Sequence, residues 1–195
     1  MTSMRDRLVG IATEVLAAEG ASAVTVRRVA REAGLSHGAP LRHFKSHQEL
    51  LCAVAARGFK EMAEAVDAAV AAADPDDASA RLQASGGGYV QFAVEHPAVF
   101  ALMFQGELLS SGDTELITAA AHSFQTLVDL VAEAQQRLGW QKHRPSREVA
   151  GVLWATVHGM SHLWIGGVYA VPTGTPDINA AVASIADMFR MEELV

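Results

Sequence analysis

At 195 residues, half of them hydrophobic and only 19% charged, the chain is long and apolar enough to bury a sizeable core. The single cysteine, Cys52, excludes a disulfide framework and suits a reducing compartment, with burial as a small hydrophobe its expected role. Neither a signal-peptide apolar region nor a run of about 18 apolar residues occurs, so a cytoplasmic protein without a membrane span is expected. The formal charge of −7 argues against nucleic acid until its distribution is read. Residues 1–60 hold nine Lys or Arg against five acids, a net +4, which leaves −11 on the remainder. A basic head on an acidic body is the electrostatic footprint of a DNA reader whose other domain stays off DNA. Abundant alanine and few β-branched runs predict an all-α chain, of about nine helices.

Arg5 to Glu19 reads as an amphipathic helix with Leu8, Ile11, Ala12, Val15 and Leu16 on its apolar stripe and Gly20 at its end. Arg5 and Arg7 are read as solvated charges. From Thr25 the pattern tightens. Val26, Val29, Ala30 and Ala33 share one helical face, Thr25 is a good N-cap, and Gly34 supplies the left-handed residue at which a helix stops. Leu35 plugs the corner and Ser36 caps a second helix, His37 to Phe44. Two short helices around a glycine turn have helix-turn-helix spacing.

The charges on this pair say what it meets. Arg27 and Arg28 occupy a first turn, where the macrodipole disfavours cations, and no acid completes a capping box with Thr25. Such a start suits a phosphate better than water. His37, Gly38, Ala39 and Pro40 are small or narrow, allowing close approach to a groove, and Arg42, His43 and Lys45 follow as donors. Pro40 belongs near a helix start or removes one backbone bond.

Ser46 to Glu49 reads as a capping box for a long helix to about Ala73, lined by Leu50, Leu51, Val54, Phe59, Met62, Val66 and Val70. Asp74 to Asp77 breaks it. A helix from Ala78 to Glu95 carries Gly86, Gly87 and Gly88, which predict a kink, close packing or a pocket wall. No Lys-Ser/Thr follows, so this is no phosphate loop. Pro97 opens a short helix, Ser110 to Asp113 is loop, and Thr114 to Leu138 is a long helix stopped by Gly139. Trp140 to Pro145 reads as a polar, mobile linker and Ser146 as the next cap. The helix it opens is apolar nearly all round up to Gly166-Gly167, which calls for a second subunit. Val171 to Thr175 reads as loop before a last helix bearing Ile178, Val182, Ile185 and Phe189.

Residues 8 to 51, with L-V-G-I-A-T-E-V-L-A-A-E-G and T-V-R-R-V-A-R-E-A-G-L-S-H-G-A-P-L-R-H-F-K-S-H-Q-E-L-L, resemble the N-terminal DNA-binding domain of the TetR family of transcriptional regulators. The E-H-P at Glu95 to Pro97, followed by an aromatic and M-F, resembles a pattern of the family's body. The W-x-x-V-H-G at Trp154, Val157, His158 and Gly159 is similar to one of its subgroups. Leu41 stands where the family commonly has a phosphate-touching Tyr, and His47 where it often has Lys, so weaker binding or reliance on Arg42 and Lys45 is expected. The resemblance implies a helix-turn-helix domain over 1–47 and a ligand-binding and dimerisation domain over 48–195. It implies a homodimer through the two C-terminal helices, palindromic operator DNA as partner and an unidentified small effector. On these grounds Thr25, Arg27, Arg28, Ser36, His37, Gly38, Ala39, Pro40, Leu41, Arg42, His43 and Lys45 are the candidate DNA contacts. A repressor is expected; an activator or an effector-independent regulator would share every feature of the head.

Aromatic and Met residues recur along the body helices at Phe59, Met62, Tyr89, Phe92, Phe100, Met103, Phe104, Phe124 and Trp154. Singly each reads as core. Together, with His122, Tyr89 and His158 as polar groups, they suit a cavity for a small apolar molecule. His158 and His162 share a helix face, but the glutamate of H-E-x-x-H is absent and Gly159 stands there. Neither metal, cofactor nor catalytic residue is expected, and no nucleophile elbow or dinucleotide fingerprint argues for an enzyme.

Overall fold

Ser3 and Asp6 open the first helix with a reciprocal cap. The Ser3 Oγ accepts from the Asp6 N–H at 3.1 Å, and the Asp6 carboxylate accepts from the Ser3 N–H at 3.2 Å. The helix they start, α1 (Met4–Glu19), is the first of ten α-helices in the computed structural model, which describes residues 3–35, 42–175 and 177–188. No strand occurs among the described residues. Contacts divide the chain into two units, one of Met1–Glu61 with His96–Ala121, the other of Met62–Glu95 with His122–Val195.

In the first unit, α1 buries Leu8, Val9, Ala12, Val15 and Leu16. A 3-10 turn at Ala21–Ala23 leads to α2 (Val26–Glu32). The Thr25 hydroxyl caps α2 by accepting from the Arg28 N–H at 3.2 Å. Gly34, at φ +70°, ends it: the Leu35 N–H reaches the Ala30 carbonyl at 3.0 Å and the Gly34 N–H reaches that of Arg31 at 3.1 Å, the two bonds of a Schellman motif. The expected second helix lies mostly at Ser36 to Leu41, outside the described residues. Phe44 lies outside any helix and is 1% exposed.

The next start departs from the expected capping box. Ser46 Oγ accepts from the Glu49 N–H at 3.0 Å, but the Glu49 carboxylate reaches one residue further back and accepts from the Lys45 N–H at 2.7 Å. The helix is α3 (His47–Ala72), which gives residues 47–61 to the first unit and 62–72 to the second. Cys52 is buried, with its Sγ 3.5 Å from the Ser111 Oγ. α4 (Ala78–Glu95) continues unbroken through the three glycines. A Cβ on Gly88 would meet the Ala65 carbonyl at 3.0 Å and the Val66 Cα at 3.1 Å, so close packing on α3 is why glycine stands there. Pro97 is at the start of α5 (Pro97–Met103), which is followed by α6 (Gly106–Leu109) and α7 (Thr114–Leu138).

In the second unit, α8 (Ser146–Ile165) packs along α4, and α10 (Ile178–Met188) packs on both. Val70, Leu82, Val131, Ala134, Trp140 and Ala150 belong to the buried cluster there. Three local expectations are corrected. Residues 140–145 are a fastened turn rather than a mobile linker: the Gln135 amide donates to the Gln141 and Arg144 carbonyls, each at 3.0 Å, and Trp140 is buried. Ser146 does not cap α8; Pro145 holds the cap position, and the Ser146 hydroxyl donates to the Gln135 side chain at 2.6 Å. The expected loop after Val171 contains a short helix, α9 (Ala170–Thr173). Phe189 lies outside the described residues. No helix among them is long and apolar enough to cross a membrane.

Candidate nucleic-acid interface

Thr25 and the first arginine, Arg27, are exposed at the start of α2, and Arg31, one turn on, is exposed as well. Arg28 takes a different course. Its two terminal nitrogens donate to the Glu19 carboxylate at 2.6 and 2.5 Å, and its Nε donates to Glu32 at 2.9 Å. These bonds hold Glu19 below the usual carboxylate range and raise Arg28 further above neutrality. The guanidinium thus ties the end of α1 to α2, a fork-to-fork geometry as specific as a phosphate contact. Thr25, Arg27, Arg28, Ala30, Arg31 and Leu35 line an open cleft of about 510 Å³ on this side of the head.

Beyond the undescribed segment, Arg42 and Lys45 are exposed and His43 is half-buried. Candidates Ser36, His37, Gly38, Ala39, Pro40 and Leu41 lie outside the described residues. The frame around them is described, and α1 supplies much of it. Arg5 lies over the Phe44 ring, 5.4 Å from its centroid, and the Arg7 guanidinium donates to the Ala33 carbonyl at 3.3 Å. Both arginines, read from sequence as solvated, brace the head, one at the end of α2 and one at Phe44.

The body candidates fall in two sets. In the first unit Phe59 and Phe100 meet Phe104 edge-on at 5.3 and 5.1 Å, and Phe100 and Met103 have no accessible surface. In the second unit a polar chain runs through aromatic residues. The Trp154 indole donates to the Tyr89 oxygen at 3.3 Å, and that oxygen lies 2.7 Å from His158 Nδ1. Burial pushes the Tyr89 hydroxyl above the usual phenol range. Burial, with the His162 charge second, brings His158 down to about 4. Which of the two donates follows from the imidazole tautomer. Phe124 packs edge-on against Trp154 at 6.0 Å, and the His162 ring lies 4.6 Å from that of His158. Met62 and Phe92 are buried, whereas His122 is exposed. Among the described residues no three His, Cys, Asp or Glu side chains gather as metal ligands would.

Residues 9–54 match the family model for bacterial regulatory proteins of the tetR family, and residues 82–189, over half the chain, match that for the tetracyclin repressor-like C-terminal domain. The chain belongs to the TetR family. Among solved structures it is similar to a protein of unknown function from Rhodococcus sp. RHA1, with 33% identity, a TM-score of 0.86, and coverage of 97% of this chain and 94% of that one. The fold is also that of the fatty acid degradation regulator of Bacillus halodurans, at 14% identity, a TM-score of 0.73 and coverage of 95% and 93%. A TetR family transcriptional regulator from Thermus thermophilus shares it at 18% identity, a TM-score of 0.69 and coverage of 98% of each chain. No curated protein matches the chain.

The chain is therefore a TetR family DNA-binding transcription regulator. Sequence reasoning missed two groups of its head residues. Arg31 had a signal, since it lies one helical turn from Arg27 on the same face. Arg5 had none, because its partner Glu115 is 110 positions away.

Proposed function

We propose that this TetR family member is a ligand-responsive repressor that binds palindromic operator DNA as a homodimer. The observation that carries the reading is the set of exposed cations on the head. Arg27, Arg31, Arg42 and Lys45 face solvent, with no carboxylate partner among the described residues, while Arg5 and Arg28 are committed to internal ion pairs. Cations left unpaired on a surface that pairs Arg5 and Arg28 with carboxylates suit a polyanion. In this reading Thr25, Arg27, Arg31 and Lys45 hold phosphates, and His37, Ala39, Pro40 and Arg42 meet base edges in the major groove.

The homodimer reading rests on α8, where Val152 is 58% and Leu163 49% exposed, an apolar face that a second copy would cover. The effector reading rests on the Tyr89, Trp154, His158 and Phe124 group, with Met62 on α3 and Phe92 on α4 buried in the same unit. An apolar effector shifts the protein off DNA only by its differential affinity for a state whose heads are wrongly spaced. Selection of bound sequences from a random DNA pool tests the reading. Enrichment of a palindrome with half-sites about 34–36 Å apart is expected. Recovery of unenriched DNA overturns it, and a Leu163→Glu chain that still sediments as a dimer overturns the interface.

A further inference from the structure

We propose that Glu115 is a positioning residue for DNA recognition, a single carboxylate that holds the helix-turn-helix at a fixed orientation on the two long helices α3 and α7. The proposal rests on the operator-binding homodimer described above. Both oxygens of Glu115, in the first turn of α7, are in use. One accepts from the Arg5 guanidinium at 2.7 Å and the other from the Lys60 ammonium at 2.7 Å, partners 110 and 55 positions away in sequence. Arg5 is on α1, and the same guanidinium covers the ring of Phe44, the buried residue that closes the reader. Arg7, further along α1, holds the carbonyl of Ala33 at the end of α2. The first helix therefore holds the end of α2 and the ring of Phe44, on either side of the undescribed segment, and Glu115 holds that helix. Lys60 lies on α3 beside the limit of the first unit, and α3 and α7 each continue into the second. Burial pushes the Glu115 carboxyl up, but the Lys60 and Arg5 contacts outweigh it, so Glu115 stays ionised.

Ion pairs as exposed as these, with side chains 37–56% accessible, contribute little to folding. One carboxylate joining three helices instead narrows the orientations the reader can take, and in a symmetric dimer head orientation sets which half-site spacing fits. The test measures affinity of the full chain for selected operators with half-sites at the native spacing and displaced by one or two base pairs, alongside thermal midpoints. Glu115→Gln is expected to bind the native spacing nearly as well as wild type, while its discrimination against displaced half-sites falls about three- to fivefold. Glu115→Asp is expected to restore much of it. Lys60→Gln and Arg5→Gln are expected to reproduce the loss, and Lys60→Gln not to deepen it when added to Glu115→Gln. Lys60→Gln removes a 56% exposed partner and serves should Glu115→Gln fail to fold. An unchanged spacing profile, or an equal loss at every spacing, overturns the proposal and leaves the operator reading intact. A wild type indifferent to spacing overturns both.

Discussion

Arg27 and Arg28 are neighbours of identical chemistry, and the structure assigns them opposite expected behaviour on DNA. Arg27 is exposed at the mouth of the cleft, whereas the Arg28 fork is filled by Glu19 and Glu32. Each phosphate neutralised contributes about −0.9 to the slope of log affinity against log salt. A homodimer carries two copies, so Arg27→Ala is expected to flatten the slope by about 1.8. Between about 50 and 200 mM salt, the affinity lost by the variant is then about twelvefold less than that lost by wild type. Arg28→Ala is expected to leave the slope near wild type and instead lower the thermal midpoint by releasing the α1–α2 tie. Fluorescence anisotropy with a fixed operator over a salt series, with thermal melts of the same samples, reads both. If Arg28→Ala flattens the slope as much as Arg27→Ala, the assignment of Arg28 to internal pairing is refuted.

The two neighbouring glycines of α4 should separate in the same way under chemical denaturation. Gly88→Ala drives a methyl against the Ala65 carbonyl and the Val66 Cα and should cost about 1–3 kcal/mol, whereas Gly87, with nothing within 4 Å of its Cβ position, should gain up to about 1 kcal/mol as alanine. A stabilising Gly88→Ala would contradict the packing argument. The half-buried imidazole makes stability pH-dependent: well above about 6.5 His158 is neutral in both states and contributes no slope, and as pH falls towards about 4 the unfolded chain takes up a proton that the folded one refuses. Stability should fall through that window by about 1–2 kcal/mol, discounted for a half-buried ring, and His158→Gln should flatten it. A His158 proton resonance titrating near 6.5 would sink this.

Features closed by hydrogen bonds within a few residues were legible in the sequence. Thr25 and Gly34 announce the limits of α2, Pro97 the start of α5, and Gly139 the end of α7, because a cap acts on its own turn. Ser46 and Glu49 show the limit of that reasoning. The residues were right, yet Glu49 chose the Lys45 N–H, a matter of how the chain enters the helix. Ser146 fared similarly once the Gln135 side chain, folded back from α7, supplied a competing partner.

The amino-acid order alone determined an all-α chain, the helix-turn-helix spacing, the basic head and its TetR family membership, since helical period, caps and charge balance are properties of short windows. Only tertiary structure decided which of the cations are taken up by ion pairs. Arg5, Arg28 and Lys60 look like Arg27 in sequence, but each finds a carboxylate brought close by folding, at Glu115, Glu19 and Glu115 again. A charge takes whatever partner lies within a few ångströms, and distance in space between residues 110 positions apart is written in the packing of helices, not in their order.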